Sequence, residues 1–239
     1  MNRTFNITRK GKLLLEDGSE FPGFVFGLPE STSGEVVFNT GMVGYPETLT
    51  DPSYKGQILV FTFPLIGNYG IPADSIIEKL PENFESHKIQ IQALIVSENS
   101  EEFNHWNAAQ SLSSWLEKYN VPGLCGIDTR RLTKLIREQG TMLGKIIVDS
   151  EPAEFYDPDI DHLISKVTVQ KPEILGKGKK RVLLIDCGCK KSIIENLISR
   201  KVEVFRVPYN YDISGEDYDG VVLSNGPGNP IVYKEIVKT

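Results

Sequence analysis

Three groups of residues in this 239-residue chain have types and spacing suited to chemistry. The first is the hydroxyl of Ser53 within Asp51-Pro52-Ser53-Tyr54. Pro52 pushes Asp51 into an extended conformation just ahead of that hydroxyl, so the tetrapeptide either presents a polar side chain on a turn or simply caps one. The second is Asn225-Gly226-Pro227-Gly228-Asn229-Pro230, where two glycines around a proline make a rigid turn. Backbone amides in such a turn can approach a substrate closely, and can stabilise an oxyanion or hold a carboxylate. The third is the thiols of Cys125, Cys187 and Cys189. His87, His105 and His162 form no cluster with Cys187 and Cys189, so no metal site is expected. Cys187-Gly188-Cys189-Lys190-Lys191-Ser192 has the spacing of neither a dinucleotide fingerprint nor a P-loop, so no nucleotide is expected in this chain.

The elements that must position these groups fall into two regimes. Lys12-Leu13-Leu14-Leu15-Glu16 and Glu20 to Phe26, joined at Asp17-Gly18, read as a β-hairpin. Further strands are expected over 35–39, 58–63 and 88–96. The stretch from Gly34 to Gln57 packs strand, turn and loop signals together, with Gly41, Gly44, Pro46 and Pro52 chosen for backbone geometry, and Pro46 suited to starting a helical turn. Leu112, Trp115, Leu116 and Tyr119 share one helical face, which makes Trp115 a core residue. A second helix starts at Asp128, buries Leu132, Leu135 and Ile136, and stops at Gly140, before a strand over 141–148.

Acids and prolines over 151–180 then read as a linker. Beyond it, 181–186 is a continuous apolar run suited to a central parallel strand. Ser192-Ile193-Ile194-Glu195 is a capping-box pattern ahead of a helix with Ile194, Leu197 and Ile198 on its inner face. Strands over 201–207 and 219–224 follow, and the last delivers the Gly226–Gly228 turn to the carboxyl end of the sheet, where open α/β folds bind ligands. The fold class is α/β overall: a β-rich α+β domain over 1–150, a linker over 151–180, and over 181–239 the first part of a doubly wound, flavodoxin-like domain.

Composition excludes several classes. A net charge of −6 without a long run of Lys or Arg argues against nucleic-acid binding. The longest apolar run, 58–66, is broken by Thr62 and Pro64 and is too short for a membrane span. Three cysteines, an odd number, with no apolar signal region fit a reducing compartment, and the chain is read as cytoplasmic.

Phe38 to Tyr54 and Phe63-Pro64-Leu65-Ile66-Gly67-Asn68-Tyr69-Gly70 closely resemble the N-terminal domain of the small, glutamine-hydrolysing component of carbamoyl-phosphate synthase, most like the version at the front of multifunctional pyrimidine-synthesis proteins. Asp186-Cys187-Gly188 and Leu223 to Pro230 are similar to the start and the glycine loop of class I glutamine amidotransferase domains. The resemblance implies that Ser53, Gly226 and Gly228 bind glutamine. It implies a partner, the synthetase large subunit or domain, that holds the ATP and Mg, and a parent that supplies ammonia for carbamoyl phosphate in pyrimidine or arginine synthesis. Such chemistry needs a thiolate in a Gly-x-Cys-x-Gly elbow, with a His and a carboxylate beyond it. None of the three cysteines fits, so the catalytic Cys, His and Glu are expected past Thr239 and this stretch alone is expected to be inactive. The alternative is a non-catalytic docking or regulatory module of an ammonia-using synthase.

Overall fold

The computed structural model describes residues 9–151 and 153–233. The chain forms two compact units that interleave in sequence. The first holds the residues up to Leu49, Gly56–Asp74 and Ile91–Pro158, and the second holds Thr50–Lys55, Ser75–Gln90 and the residues from Asp159 onward.

The first unit is built on β1 (Lys10–Leu15), β2 (Glu20–Gly27), β3 (Thr32–Asn39), α1 (Tyr45–Leu49), β4 (Gln57–Phe61), β5 (Ala93–Ile95), α2 (Leu112–Lys118), β6 (Pro122–Cys125), α3 (Thr129–Gln139) and β7 (Met142–Val148). These seven strands close into a barrel in the order β1-β7-β3-β4-β5-β6-β2. Alternation sets the faces: Leu13 and Leu15 of β1, Ile58 and Val60 of β4, and Met142, Ile146 and Val148 of β7 enter one core that Leu132 and Ile136 of α3 join. Burying each large apolar side chain of this kind contributes about 1.5–3 kcal/mol. The hairpin turns at Asp17-Gly18, α1 opens with Tyr45-Pro46, and α3 is capped by Asp128, whose side chain accepts from the Arg131 amide. Trp115 is buried, as its helical spacing requires.

The second unit is a four-stranded sheet in the order β8-β10-β9-β11, formed by β8 (Glu173–Leu175), β9 (Lys180–Asp186), β10 (Val202–Pro208) and β11 (Gly220–Leu223). Strand β9 runs parallel to both β10 and β11, and β8 lies antiparallel on the outer edge of β10. Helix α4 (Leu163–Val167) precedes β8, and α5 (Lys191–Ser199) crosses from β9 to β10. Residues of β9 alternate between two apolar clusters, with Leu184 packing beside Ile194 of α5 and Leu183 and Ile185 beside Ile164 of α4. A strand buried on both faces explains the continuous apolar run at 181–186. Because β10 and β11 flank β9 on opposite sides, the carboxyl ends of β9 and β11 border a topological switch point, the crevice in which open α/β sheets hold their ligands.

Three local expectations are corrected. The strand expected over 88–96 shrinks to Ala93–Ile95; Ile89 and Ile91 are buried, but the compact units divide between Gln90 and Ile91. Helix α5 starts at Lys191, so Ser192 lies inside it and is no cap. The Ser192 amide donates instead to Oε2 of Glu85 at 3.0 Å, and Glu195 faces Lys191 at 3.2 Å. Residues 159–180, read as part of the linker, contribute α4 and β8 to the second unit; the acids and prolines around them mask the short apolar pairs Leu163-Ile164 and Ile174-Leu175.

Candidate functional site

The Ser53 turn and the Gly226–Gly228 turn meet inside the second unit. Asp51 caps a single 3-10 turn over Pro52–Tyr54 by accepting the Ser53 amide at 2.9 Å, which fixes the direction of the Ser53 side chain. Ser53 Oγ then accepts a hydrogen bond from Nδ2 of Asn225 at 2.9 Å. This contact lies within one unit, because Thr50–Lys55 cluster with the α/β sheet.

Asn225 is the hub. Its Nδ2 also donates to the Gly188 carbonyl at 3.0 Å, and its Oδ1 accepts the Lys190 amide at 3.4 Å. Ser224 Oγ accepts the Cys187 amide at 2.9 Å and donates to the Asn225 carbonyl at 2.7 Å. Below them Asp186, fully buried at the end of β9, accepts from the amides of Gly188 and Cys189 on one oxygen. Its other oxygen accepts the Val169 amide and forms an ion pair with Nη2 of Arg206 at 2.9 Å. A buried carboxylate is tolerated only with such full pairing, and here it rigidifies the first loop of the sheet. Lys190 Nζ lies 3.4 Å from the second oxygen of Asp51, closing the ring of contacts between the two turns.

Two glycines are required by this geometry. A Cβ on Gly226 would lie 2.2 Å from the Cys187 carbonyl oxygen, so no side chain fits where β9 and β11 loops touch. Gly188 has φ +115°, and a Cβ there would press on Pro52, Val167 and Pro227. Gly228, at φ +78°, ends the turn beside the Tyr233 hydroxyl, which accepts the Leu163 amide at 3.1 Å. Among the described residues the amides of Gly226 and Gly228 have no hydrogen-bond partner, which leaves two N–H groups for a ligand carbonyl or carboxylate.

The cysteines do not supply a nucleophile. All three are buried and unpaired. Burial, reinforced by the Asp186 charge, pushes the Cys187 thiol up to about 11 and the Cys189 thiol up to about 12. Burial and Glu101 push Cys125 up to about 11. A catalytic cysteine has the opposite environment, one that favours the thiolate. Among the described residues no group of three or more His, Cys, Asp or Glu side chains could hold a metal ion, and no helix is long and apolar enough to cross a membrane.

Ser53, Gly226 and Gly228 stand out in the sequence, whereas nothing in it gives a role to Asn225, Ser224, Asp186 or Lys190. Their signal was positional: Asp186 and Asn225 stand at the carboxyl ends of adjacent parallel strands, where side chains at a switch point converge.

The fold and this site define a class: a closed β-barrel unit followed by the opening of a doubly wound sheet with a glycine loop at its switch point. Residues 13–146 match the family described as carbamoyl-phosphate synthase small chain, CPSase domain, and residues 183–238 match glutamine amidotransferase class-I. The chain belongs to the carbamoyl-phosphate synthase small chain family. It is 44% identical over 229 residues to carbamoyl-phosphate synthase [ammonia], mitochondrial, of Homo sapiens, covering 95% of this chain and 15% of that protein. It is 48% identical over 223 residues to the multifunctional protein CAD of Squalus acanthias, covering 91% and 10%, and 46% identical over 245 residues to the multifunctional protein pyr1-3 of Dictyostelium discoideum, covering 93% and 11%. The chain therefore spans less than a sixth of the length of these relatives.

Proposed function

We propose that this chain carries one wall of the glutamine site of a glutamine-dependent carbamoyl-phosphate synthase, and that the enzyme containing it passes ammonia from glutamine to a synthetase large subunit or domain that forms carbamoyl phosphate. The observation that carries the reading is the Ser53–Asn225 contact beside the open Gly226 and Gly228 amides. With its oxygen accepting from Asn225, Ser53 keeps its hydroxyl hydrogen to donate, and the two glycine amides donate nearby, which together suit the carboxylate and carbonyl of glutamine. ATP and Mg act on the synthetase, and the nucleophile comes from outside residues 1–239, since the three thiols here are held protonated. Pyrimidine synthesis is the pathway favoured by the Gly41-Met42-Val43-Gly44-Tyr45-Pro46-Glu47 wording and by the identity to multifunctional relatives. Three unpaired cysteines fit a reducing compartment, the cytoplasm.

The test is steady-state kinetics of the enzyme containing this chain. Ser53→Ala is expected to raise the KM for glutamine roughly tenfold or more while leaving ammonia-dependent synthesis unchanged, as loss of one charge-assisted hydrogen bond requires. An unchanged KM for glutamine removes Ser53 from the site. A second reading, a docking or regulatory module of an ammonia-using synthase, is favoured by the identity to relatives named for ammonia. Under it, glutamine supports no synthesis at any concentration, with Ser53 present or absent.

A further inference from the structure

The chain carries a net charge of −6, yet the second unit concentrates positive charge in one recess. A cavity of about 370 Å³ is lined by Lys79, Lys88, Lys166, Lys191 and Arg206, against the two carboxylates Glu85 and Glu173. None of Ser53, Asn225, Gly226 and Gly228 lines it. Three of the cations are already engaged: Arg206 by Asp186 and Glu173, Lys191 by Glu195 and the Glu82 carbonyl, and Lys166 by Asp161. Lys79 and Lys88 have no ion pair among the described residues. Lys55, close by, is held below the ordinary lysine value by burial and by the charges of Lys88 and Lys166, so these lysines repel one another.

Two polar atoms of the residues around the recess are buried without a hydrogen-bond partner. Gln90 is 3% exposed; its Nε2 donates to Ser86 Oγ at 2.9 Å, while its Oε1 has no partner. Arg206 Nε is likewise buried without one. Lys79 sits in a tight two-residue turn between Ile76–Ile77 and Leu80–Pro81 in which Glu78 and Lys79 both take positive φ, +48° and +73°, a conformation costly for residues other than glycine.

We propose that this recess binds a small phosphate-bearing anion, at a site separate from the proposed glutamine site. A phosphate group supplies what the wall lacks: several negative oxygens, held close together, for Lys79 and Lys88. A tricarboxylate such as citrate spreads a similar charge along a carbon chain and presents it less densely to the two lysines. The volume suits a diphosphate-sized group.

The experiment is calorimetric titration of this chain with sodium pyrophosphate, at low ionic strength and again at physiological salt, with citrate as a parallel ligand. Pyrophosphate is expected to fill one saturable site per chain at both salts, and Lys79→Ala with Lys88→Ala is expected to weaken it roughly tenfold or more. The charge-matched control Lys177→Ala with Lys179→Ala, on exposed residues outside the recess, leaves the affinity unchanged. Absence of saturable binding, equal losses in both double variants, or citrate binding as tightly as pyrophosphate would each overturn the assignment. Ser53→Ala is expected to leave pyrophosphate affinity intact, so this result stands or falls independently of the glutamine reading.

Discussion

Asn225 uses every polar atom of its amide: two donors go to Ser53 Oγ and the Gly188 carbonyl, and the oxygen takes the Lys190 amide. The side chain therefore has one orientation, since a flip would set its oxygen against the Gly188 carbonyl. Asn225→Ala is expected to cost about 1–2 kcal/mol in urea denaturation, the price of leaving three half-buried partners unmatched. Asn225→Asp is expected to cost at least as much, because the oxygen that replaces Nδ2 is an acceptor set against the Gly188 carbonyl. If both variants unfold at the wild-type midpoint, the amide is not what joins the two turns.

Helix α5 gets its N-terminal partner from a distant segment. Glu85 satisfies the Ser192 amide with its carboxylate and the Lys191 amide with its own carbonyl, and its negative charge lies at the positive end of the helix dipole. Glu85→Ala is therefore expected to destabilise the protein by about 1 kcal/mol. Ser192→Ala, the substitution that a capping box would punish, is expected to change stability by less than about 0.5 kcal/mol. The reverse ranking of these two variants in chemical denaturation would restore the local cap.

Titration acts on the whole molecule through buried groups. Cys125 and Cys187 are pushed up to about 11 and Cys189 up to about 12, and Tyr45 and Tyr69 are also raised by burial. Each of these groups is held protonated in the folded state, so its contribution is complete below the unfolded value and is lost as pH climbs toward the folded one. For the thiols that window runs from the ordinary value of 9.0 to about 11 or 12. Lys55, lowered by burial, acts in the opposite sense. Urea midpoints are expected to fall between pH 8 and pH 11, about the span of those thiol shifts. Changing all three cysteines to Ala is expected to flatten that fall, and an equal slope in the triple variant would assign it elsewhere.

The sequence by itself determined the elements whose signals are local. The Asp17-Gly18 hairpin, the Asp128 cap, the face of α2 that buries Trp115, and the apolar run of β9 each depend on neighbours a few residues away. It also placed Ser53, Gly226 and Gly228, through motifs whose geometry is written in Pro and Gly. Only the tertiary structure decided which residues those motifs meet. That Thr50–Lys55 and Ser75–Gln90 join the α/β unit, that Glu85 caps α5 across 107 positions, and that Asn225 reaches Ser53 across 172 are long-range pairings. Periodicity and propensity are short-range quantities and carry no information about pairings of that span. The buried Asp186–Arg206 pair was hidden for the same reason: a charge at the end of an apolar strand is ordinary in sequence, and it acquires its role only when the next parallel strand brings its partner alongside.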